Sequence, residues 1–504
     1  MIEMQYKSTR DSKIRLEASQ VIAQGISAEG GLFVPETLPS VQDKLPQLLK
    51  MGYRQLAEEI FTLFLTDFSR DQIADCVKMA YTEEKFGASP VKVVGLSASV
   101  GNPYLLELWH GPTCAFKDMA LQILPHFLTE SLKKSVPGKE AVILVATSGD
   151  TGKAALEGFR DVRGTKVIVF YPQDGVSPMQ KRQMATQEGG NVSVCAINGN
   201  FDDAQTAVKK IFTDKKMDRA LAEHNFLFSS ANSINWGRLL PQIVYYFYAY
   251  FQLCRDGRIS LGESINVAVP TGNFGNILAA YYAREMGLPI QRFICASNSN
   301  KVLADFIATG IYDRRREFFA TSSPSMDILI SSNLERLLYA LSGENSEVLS
   351  VWMESLAQEG HYDVGDMVRK KVQTLFFGGF CNDEDTTKTI AEVWKRENYL
   401  CDTHTAVAVN VYAQYVQKTG DSATPTIIAS TASPYKFVKD VLGALEPVAA
   451  QDEFMNIARL ETLTGTSAPS QLKELEDKPV RFHTVLEKNQ SAKYILETLG
   501  IDEG

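Results

Sequence analysis

Apolar positions along this chain change their spacing near residue 93. Before it, apolar residues recur mostly at helical intervals, after a glycine-rich opening at Ala28-Glu29-Gly30-Gly31-Leu32-Phe33-Val34-Pro35. Beyond it, short apolar runs alternate with helical stripes. Ala141–Thr147 is all but continuously apolar, the pattern of a strand buried on both faces of a parallel sheet. An alanine-rich helix is predicted over Lys153–Phe159, a strand over Lys166–Tyr171 and a helix over Met179–Glu188. Ile265–Val269 leads through a glycine loop to a helix at Ile277–Glu285, and Gln291–Ala296 and Thr426–Ala429 read as further strands. Strands alternating with helices predict an α/β fold with a mainly parallel sheet.

One stripe carries a lysine. Gly111-Pro112 break the strand-like Tyr104–Trp109, and apolar residues then recur at Phe116, Met119, Ala120, Ile123, Leu124 and Phe127. Lys117 sits at the head of this helix, on the edge of its apolar face. Partial desolvation there lowers the pKa and makes the amine a nucleophile for carbonyls. A lysine that snorkels to water is the plainer alternative.

Ligands in such folds bind at loops after the carboxyl ends of strands. Three such loops stand out. Thr271-Gly272-Asn273-Phe274-Gly275-Asn276 places two glycines before a helix, which suits an anion such as phosphate, or else a simple capped turn. Thr147-Ser148-Gly149-Asp150-Thr151-Gly152-Lys153 crowds hydroxyls and N–H groups at a helix start, which suits a carboxylate or, more plainly, caps the helix. Its spacing is wrong for a nucleotide P-loop, because Ala154 replaces the required hydroxyl residue. Ala429-Ser430-Thr431-Ala432-Ser433-Pro434-Tyr435-Lys436-Phe437 offers hydroxyls to a neutral ring nitrogen or, more plainly, to the helix that begins near Pro434. An amine, a phosphate cup, a carboxylate cradle and a hydroxyl are the parts that hold pyridoxal phosphate and an amino-acid substrate.

Composition removes several other classes. A length of 504 residues calls for two to three domains. A net charge of −9 argues against nucleic-acid binding. The seven cysteines are scattered and the six histidines form no ligand-spaced cluster, which argues for a reducing compartment and against a metal site. The longest apolar run, Leu239–Phe251, is interrupted by Pro241 and Gln242 and reads as a buried helix, not a membrane span. With a polar, charged start to the chain, these features lead to the expectation of a cytoplasmic protein.

The segment His110-Gly-Pro-Thr-Cys-Ala-Phe-Lys117-Asp resembles the cofactor-lysine motif of threonine synthases. So do Tyr6-Lys-Ser-Thr-Arg10, Gly30-Gly-Leu-Phe-Val-Pro35, Ser148-Gly-Asp-Thr-Gly152, Asn232-Ser-Ile-Asn-Trp-Gly-Arg238 and Gly272-Asn-Phe-Gly-Asn276. Pro324-Ser-Met-Asp327, Ser332-Asn-Leu-Glu-Arg336 and His404-Thr-Ala406 complete the series, in order along most of the chain. The resemblance is to the longer branch of that family, within the fold-type II (tryptophan synthase β-like) pyridoxal-phosphate enzymes. It implies two α/β lobes with the cofactor between them: a large lobe at 93–130 and 235–460, and a small one at 131–234. An N-terminal domain at 1–92 and a helical C-terminal appendage at 461–504, with a loop at Ser467–Gln471, would complete the chain. It implies that Lys117 forms the Schiff base, that Gly272, Asn273, Phe274, Gly275 and Asn276 cup the cofactor phosphate, and that Thr431 faces the pyridine nitrogen. Asp150 stands where relatives often have an asparagine contacting the ring. Ser148 and Thr151 match residues near the substrate carboxylate. Lys7, Arg10, Arg238 and Lys153 are candidates for the leaving phosphate, and Arg238 is taken as substrate-binding. Ser433 replaces a histidine usual after Thr431-Ala432, and Asp402-Thr403-His404 lacks a usual proline. The implied reaction is O-phosphohomoserine and water to threonine and phosphate, in a lyase of threonine biosynthesis that is a monomer or homodimer. A phosphate-eliminating lyase, a serine or threonine dehydratase and a non-catalytic sensor are the alternatives.

Overall fold

The computed structural model describes residues 3–501 apart from 98, 100, 102, 148, 174, 175, 200, 213 and 449–451. Two sheets organise it. The larger has six strands in the order Phe376–Phe380, Ile290–Ser297, Ile265–Pro270, Thr426–Ser430, Tyr104–Glu107, Lys92–Gly95. All its pairings are parallel except the last, which closes one edge antiparallel. The smaller has five parallel strands in the order Val485–Leu486, Val192–Ile197, Thr165–Pro172, Glu140–Ala146, Phe226–Ser229. Ala141 to Val145 are fully buried, so both faces of their strand are covered by helices. That burial is why the run carries no polar alternation.

The lysine stripe is two helices rather than one, Asp118–Leu121 and Leu124–Ser135. Pro125 lies in the first turn of the second, where its missing N–H costs nothing, and it disfavours a continuous helix through the residues before it. Pro241 acts likewise. The apolar run at 239–251 is split between Trp236–Leu239 and Pro241–Arg255, with the proline opening the second helix.

The N-terminal residues fold onto the outer face of the lysine helices. Helix Tyr53–Phe64 buries Leu56, Ala57, Ile60, Phe61 and Phe64 on one face. Phe61 meets Phe127 edge to face at 5.2 Å between ring centroids. Burial of each of the larger side chains among these contributes about 1.5–3 kcal/mol. The glycine-rich opening also makes a two-stranded antiparallel ladder, Tyr6–Ser8 with Phe33–Pro35.

The tail is helical in part, as expected, with a strand that was not. It has helices at Ser470–Lys473 and Ser491–Leu499, the first beginning inside the expected loop. It also carries the strand Val485–Leu486, which completes the smaller sheet. A two-residue strand has no periodicity to read, and its partner edge is what makes it a strand. No helix among the described residues is long and apolar enough to cross a membrane.

Candidate active site

Four loops meet where the strands of the two sheets end: those after Tyr104–Glu107, Glu140–Ala146, Ile265–Pro270 and Thr426–Ser430. The first and last are zipped together. Phe116 N donates to Thr431 O at 2.8 Å and Ser433 N to Cys114 O at 3.0 Å, bracketing an Ala115–Ala432 bridge. The turn before Lys117 is held by Asp118, whose carboxylate accepts from Thr113 N at 2.8 Å and from Thr113 Oγ1 at 2.7 Å. Burial pushes the Asp118 carboxyl up to about 6, against those two hydrogen bonds.

Lys117 is 8% exposed. Its Nζ donates to Ser325 Oγ at 3.0 Å, lies 3.5 Å from Asp150 Oδ2 and sits over the Phe116 ring. Burial brings its ammonium down to about 8; Asp150 opposes this, while Arg238 and Lys436 act with it. The desolvation read from the apolar stripe is therefore present.

Asp150 opens the helix Asp150–Gly158. Its Oδ1 lies 2.6 Å from Lys436 Nζ and accepts from Gln180 Nε2 at 2.9 Å, while its Oδ2 accepts from Ser325 Oγ at 3.2 Å. Burial alone would raise this carboxyl. The Lys436 and Lys117 ammonium groups overcome it and hold Asp150 well below the usual carboxylate range. Lys436 lies in the third loop of the sequence reading, which gave it no role. Its side chain is wholly buried, and it also donates to Thr113 O at 3.0 Å, joining three of the four loops. The available signal was the one used for Lys117: a lysine set between aromatic residues, here Tyr435 and Phe437, just after a strand-end loop.

The carboxylate loop is braced by Thr147, whose hydroxyl accepts from Gly149 N and Gly152 N, both at 3.0 Å. Thr151 lies half-buried in the first turn of the helix that follows. Ser148 lies outside the described residues.

The glycine loop at 271–276 leads from strand Ile265–Pro270 into helix Gly275–Glu285. Phe274 adopts the left-handed conformation (φ 64°) just before helix Gly275–Glu285, turning the chain so that the loop caps the helix's positive end. Ser331 Oγ donates to Gly272 O at 2.7 Å, and Asn333 Nδ2 to Asn273 O at 3.1 Å. Asn276 Oδ1 accepts from Tyr246, but its Nδ2 is buried with no hydrogen-bond partner among the described residues. An orphaned donor in a cup at a helix start fits an anionic group.

The four basic candidates separate cleanly. Lys7 is paired with Glu344, Arg10 with Glu335 and Lys153 with Glu157. Arg238 is buried, donates to Ala231 O at 2.7 Å, and has no carboxylate partner among the described residues. Burial brings it down to about 10. A buried guanidinium without a counter-ion costs several kcal/mol, which a bound anion would offset.

Taken together, a buried amine of lowered pKa, an anion cup and an unpaired buried guanidinium fit pyridoxal phosphate and an anionic substrate. No group of His, Cys, Asp or Glu among the described residues could hold a metal ion.

Comparison with known proteins gives the family. Family models match at residues 5–81 (threonine synthase N terminus), 84–430 (pyridoxal-phosphate dependent enzyme) and 405–495 (threonine synthase, C-terminal). Threonine synthase-like 1 of Pongo abelii is 40% identical over 87% of this chain, and the chain spans 59% of that protein's length. Threonine synthase of Pseudomonas aeruginosa is 39% identical over 87% of this chain and 90% of its own. The structure of pyridoxal-phosphate-bound threonine synthase from Brucella melitensis superposes with a TM-score of 0.86 at 34% identity, covering 98% of this chain and 99% of that one. With its N-terminal, cofactor and C-terminal regions all matched, the chain belongs to the threonine synthase family of pyridoxal-phosphate-dependent enzymes.

Proposed function

We propose that this enzyme converts O-phosphohomoserine and water to threonine and phosphate. One observation carries the reading: Arg238, a buried cation with no carboxylate partner among the described residues, acts electrostatically on the equally buried Lys117 amine. An anionic substrate supplies the missing counter-charge next to the reacting amine. When bound, pyridoxal phosphate supplies the electron sink that makes carbon acids of amino-acid substrates.

The roles follow from the chemistry of each group. Gly272, Asn273, Phe274, Gly275 and Asn276 hold the cofactor phosphate at the helix start. Lys117 anchors the cofactor, then moves protons at Cα and Cβ of the substrate. An amine near pH 8 is close to the operating pH, which suits a group that must both take and give a proton. Asp150 holds Lys117 and Lys436 in place by charge, in addition to contacting the cofactor. Thr431 offers a hydroxyl to the ring nitrogen and brings no counter-charge, which suits replacement chemistry. Ser148 and Thr151 hold the substrate carboxylate, and Arg238 the phosphate that leaves. The seven cysteines are free thiols, which supports placing the enzyme in the cytoplasm.

The test is to supply purified protein with pyridoxal phosphate and O-phosphohomoserine, and to assay phosphate, threonine and 2-oxobutyrate together. Phosphate with equimolar threonine supports the proposal. Phosphate with 2-oxobutyrate overturns it in favour of an eliminating lyase, a reading kept in view by the 40% identity to a threonine synthase-like protein. Visible absorbance of a lysine-linked cofactor without turnover means a different substrate. Lys117→Ala is expected to abolish both turnover and that absorbance; an active variant overturns the assignment of Lys117.

A further inference from the structure

The His404-Thr405-Ala406 motif has no role in the mechanism above, yet it touches the site through one residue. His404 is buried, at the start of helix Thr403–Thr419. Its Nε2 accepts a hydrogen bond from Ser325 N at 3.1 Å. That nitrogen must therefore present its lone pair, which puts the ring proton on Nδ1. Nδ1 in turn lies 2.8 Å from Asp402 Oδ2. Asp402 is itself fixed, because it caps the helix by accepting from His404 N at 2.9 Å and Thr405 N at 3.1 Å. Thr403 Oγ1 adds a bond to Ser322 O at 2.7 Å. The segment carrying Ser325 is thus tied to one rigid helix end.

Ser325 is the point where that segment meets the chemistry. Its Oγ accepts from Lys117 Nζ and donates to Asp150 Oδ2. Its carbonyl oxygen lies against Gly272, where a Cβ would come within 2.6 Å. One residue therefore bridges the amine, the carboxylate and the phosphate cup. We infer that His404, oriented by Asp402, is the positioning residue for Ser325 and, through it, for the Lys117 amine. The inference rests on Lys117 being the reacting amine. The charged groups around this chain of contacts are Asp402 and Asp327 towards His404, and Asp150, Arg238 and Lys436 towards Lys117.

The same geometry sets the behaviour of each variant. Gln at 404 can place an oxygen acceptor near the Nε2 position; Leu cannot. Asn at 402 keeps the cap bond from Thr405 N, but an Nδ2 in place of Oδ2 turns a donor towards both His404 N and Nδ1. The ring proton then moves to Nε2, which faces Ser325 N–H donor to donor.

The test follows the pH midpoint of Lys117 reductive methylation in the full-length chain without cofactor, read by peptide mass spectrometry. His404→Leu, Asp402→Asn and Ser325→Ala should each move the midpoint by roughly half a pH unit or more. His404→Leu should add nothing further in the Ser325→Ala background, and His404→Gln should stay near wild type. In the loaded enzyme, His404→Leu and Asp402→Asn should lower kcat by roughly 10²-fold with KM little changed. A midpoint unmoved by both His404→Leu and Asp402→Asn, or one that adds fully to that of Ser325→Ala, overturns the inference. If His404→Leu does not fold, Asp402→Asn and His404→Gln carry the same comparison. The labelling uses neither cofactor nor substrate, so a chain that makes no threonine leaves this result standing.

Discussion

Lys117 and Arg238 are liabilities to the fold and assets to the site. An amine drawn from 10.5 to about 8 corresponds to about 3 kcal/mol against burying its charge. Below pH 8 the folded and unfolded chains both hold that proton, and the cost is present in full. Between about 8 and 10.5 the unfolded chain keeps the proton and the folded chain sheds it, so stability gains as pH rises through this window. Lys117→Met should therefore raise the unfolding free energy of the cofactor-free protein at pH 7, measured by urea titration, by about 1–3 kcal/mol, since Asp150 retains Lys436. The advantage should shrink between pH 8 and 10.5; a variant less stable than wild type at pH 7 contradicts the argument. Arg238→Gln should act alike on stability while reducing kcat/KM for the phosphorylated substrate by roughly 10²-fold, measured by steady-state kinetics. At this scale the sequence was legible for Lys117, because its apolar neighbours lie on its own helix. It was silent on Lys436 and on Ser325 as a bridge. The Lys117–Ser325 and Asp150–Lys436 contacts join positions more than 200 residues apart, and no local pattern encodes them.

Elements meet at glycines here, and two of them separate function from stability. At Gly272 an added Cβ would strike the Ser325 carbonyl oxygen at 2.6 Å, in the cup. Gly272→Ala should weaken pyridoxal-phosphate binding by tenfold or more, at about 1.4 kcal/mol per factor of ten, with only a small change in melting temperature. Gly158 ends the helix after the carboxylate loop, and there a Cβ would lie 1.9 Å from Leu121 O on the lysine helix. Gly158→Ala should instead destabilise the whole fold by about 1–3 kcal/mol, seen in thermal melts. The elements that the sequence made legible were long and apolar. Phe376–Phe380 was not, because Gly378 and Gly379 interrupt it. Those glycines are there for a close approach: a Cβ on Gly378 would lie 3.0 Å from Ala304 Cα. Val192–Ile197 escaped notice because a serine and a cysteine break its apolar run, although both its faces are largely covered.

For the whole molecule, the order of strands matters more than their number. The strand order of neither sheet was readable, since strands distant in sequence pair side by side. The smaller sheet is closed by Val485–Leu486, with Ala196 N donating to Thr484 O at 3.0 Å and Asn198 N to Leu486 O at 2.9 Å. Helix Ser491–Leu499 then covers its outer apolar face through Ile495 and Tyr494, the latter ring 6.1 Å from Phe170. A chain ending at residue 483 should lose amide protection over Val192–Ile197 in hydrogen exchange while the six-stranded sheet keeps its own. Equal loss in both sheets would mean that the two lobes unfold as one unit.

Vectorial synthesis gives that closing strand a further consequence. The other four strands of the smaller sheet have all left the ribosome some 250 residues before the fifth. Until then the nascent chain presents the Val192–Ile197 edge unpaired, a template for any stray strand. The protein must therefore pass much of its translation with this edge shielded by a chaperone or by chance isolation, and slow elongation over the last third of the message would lengthen the exposure.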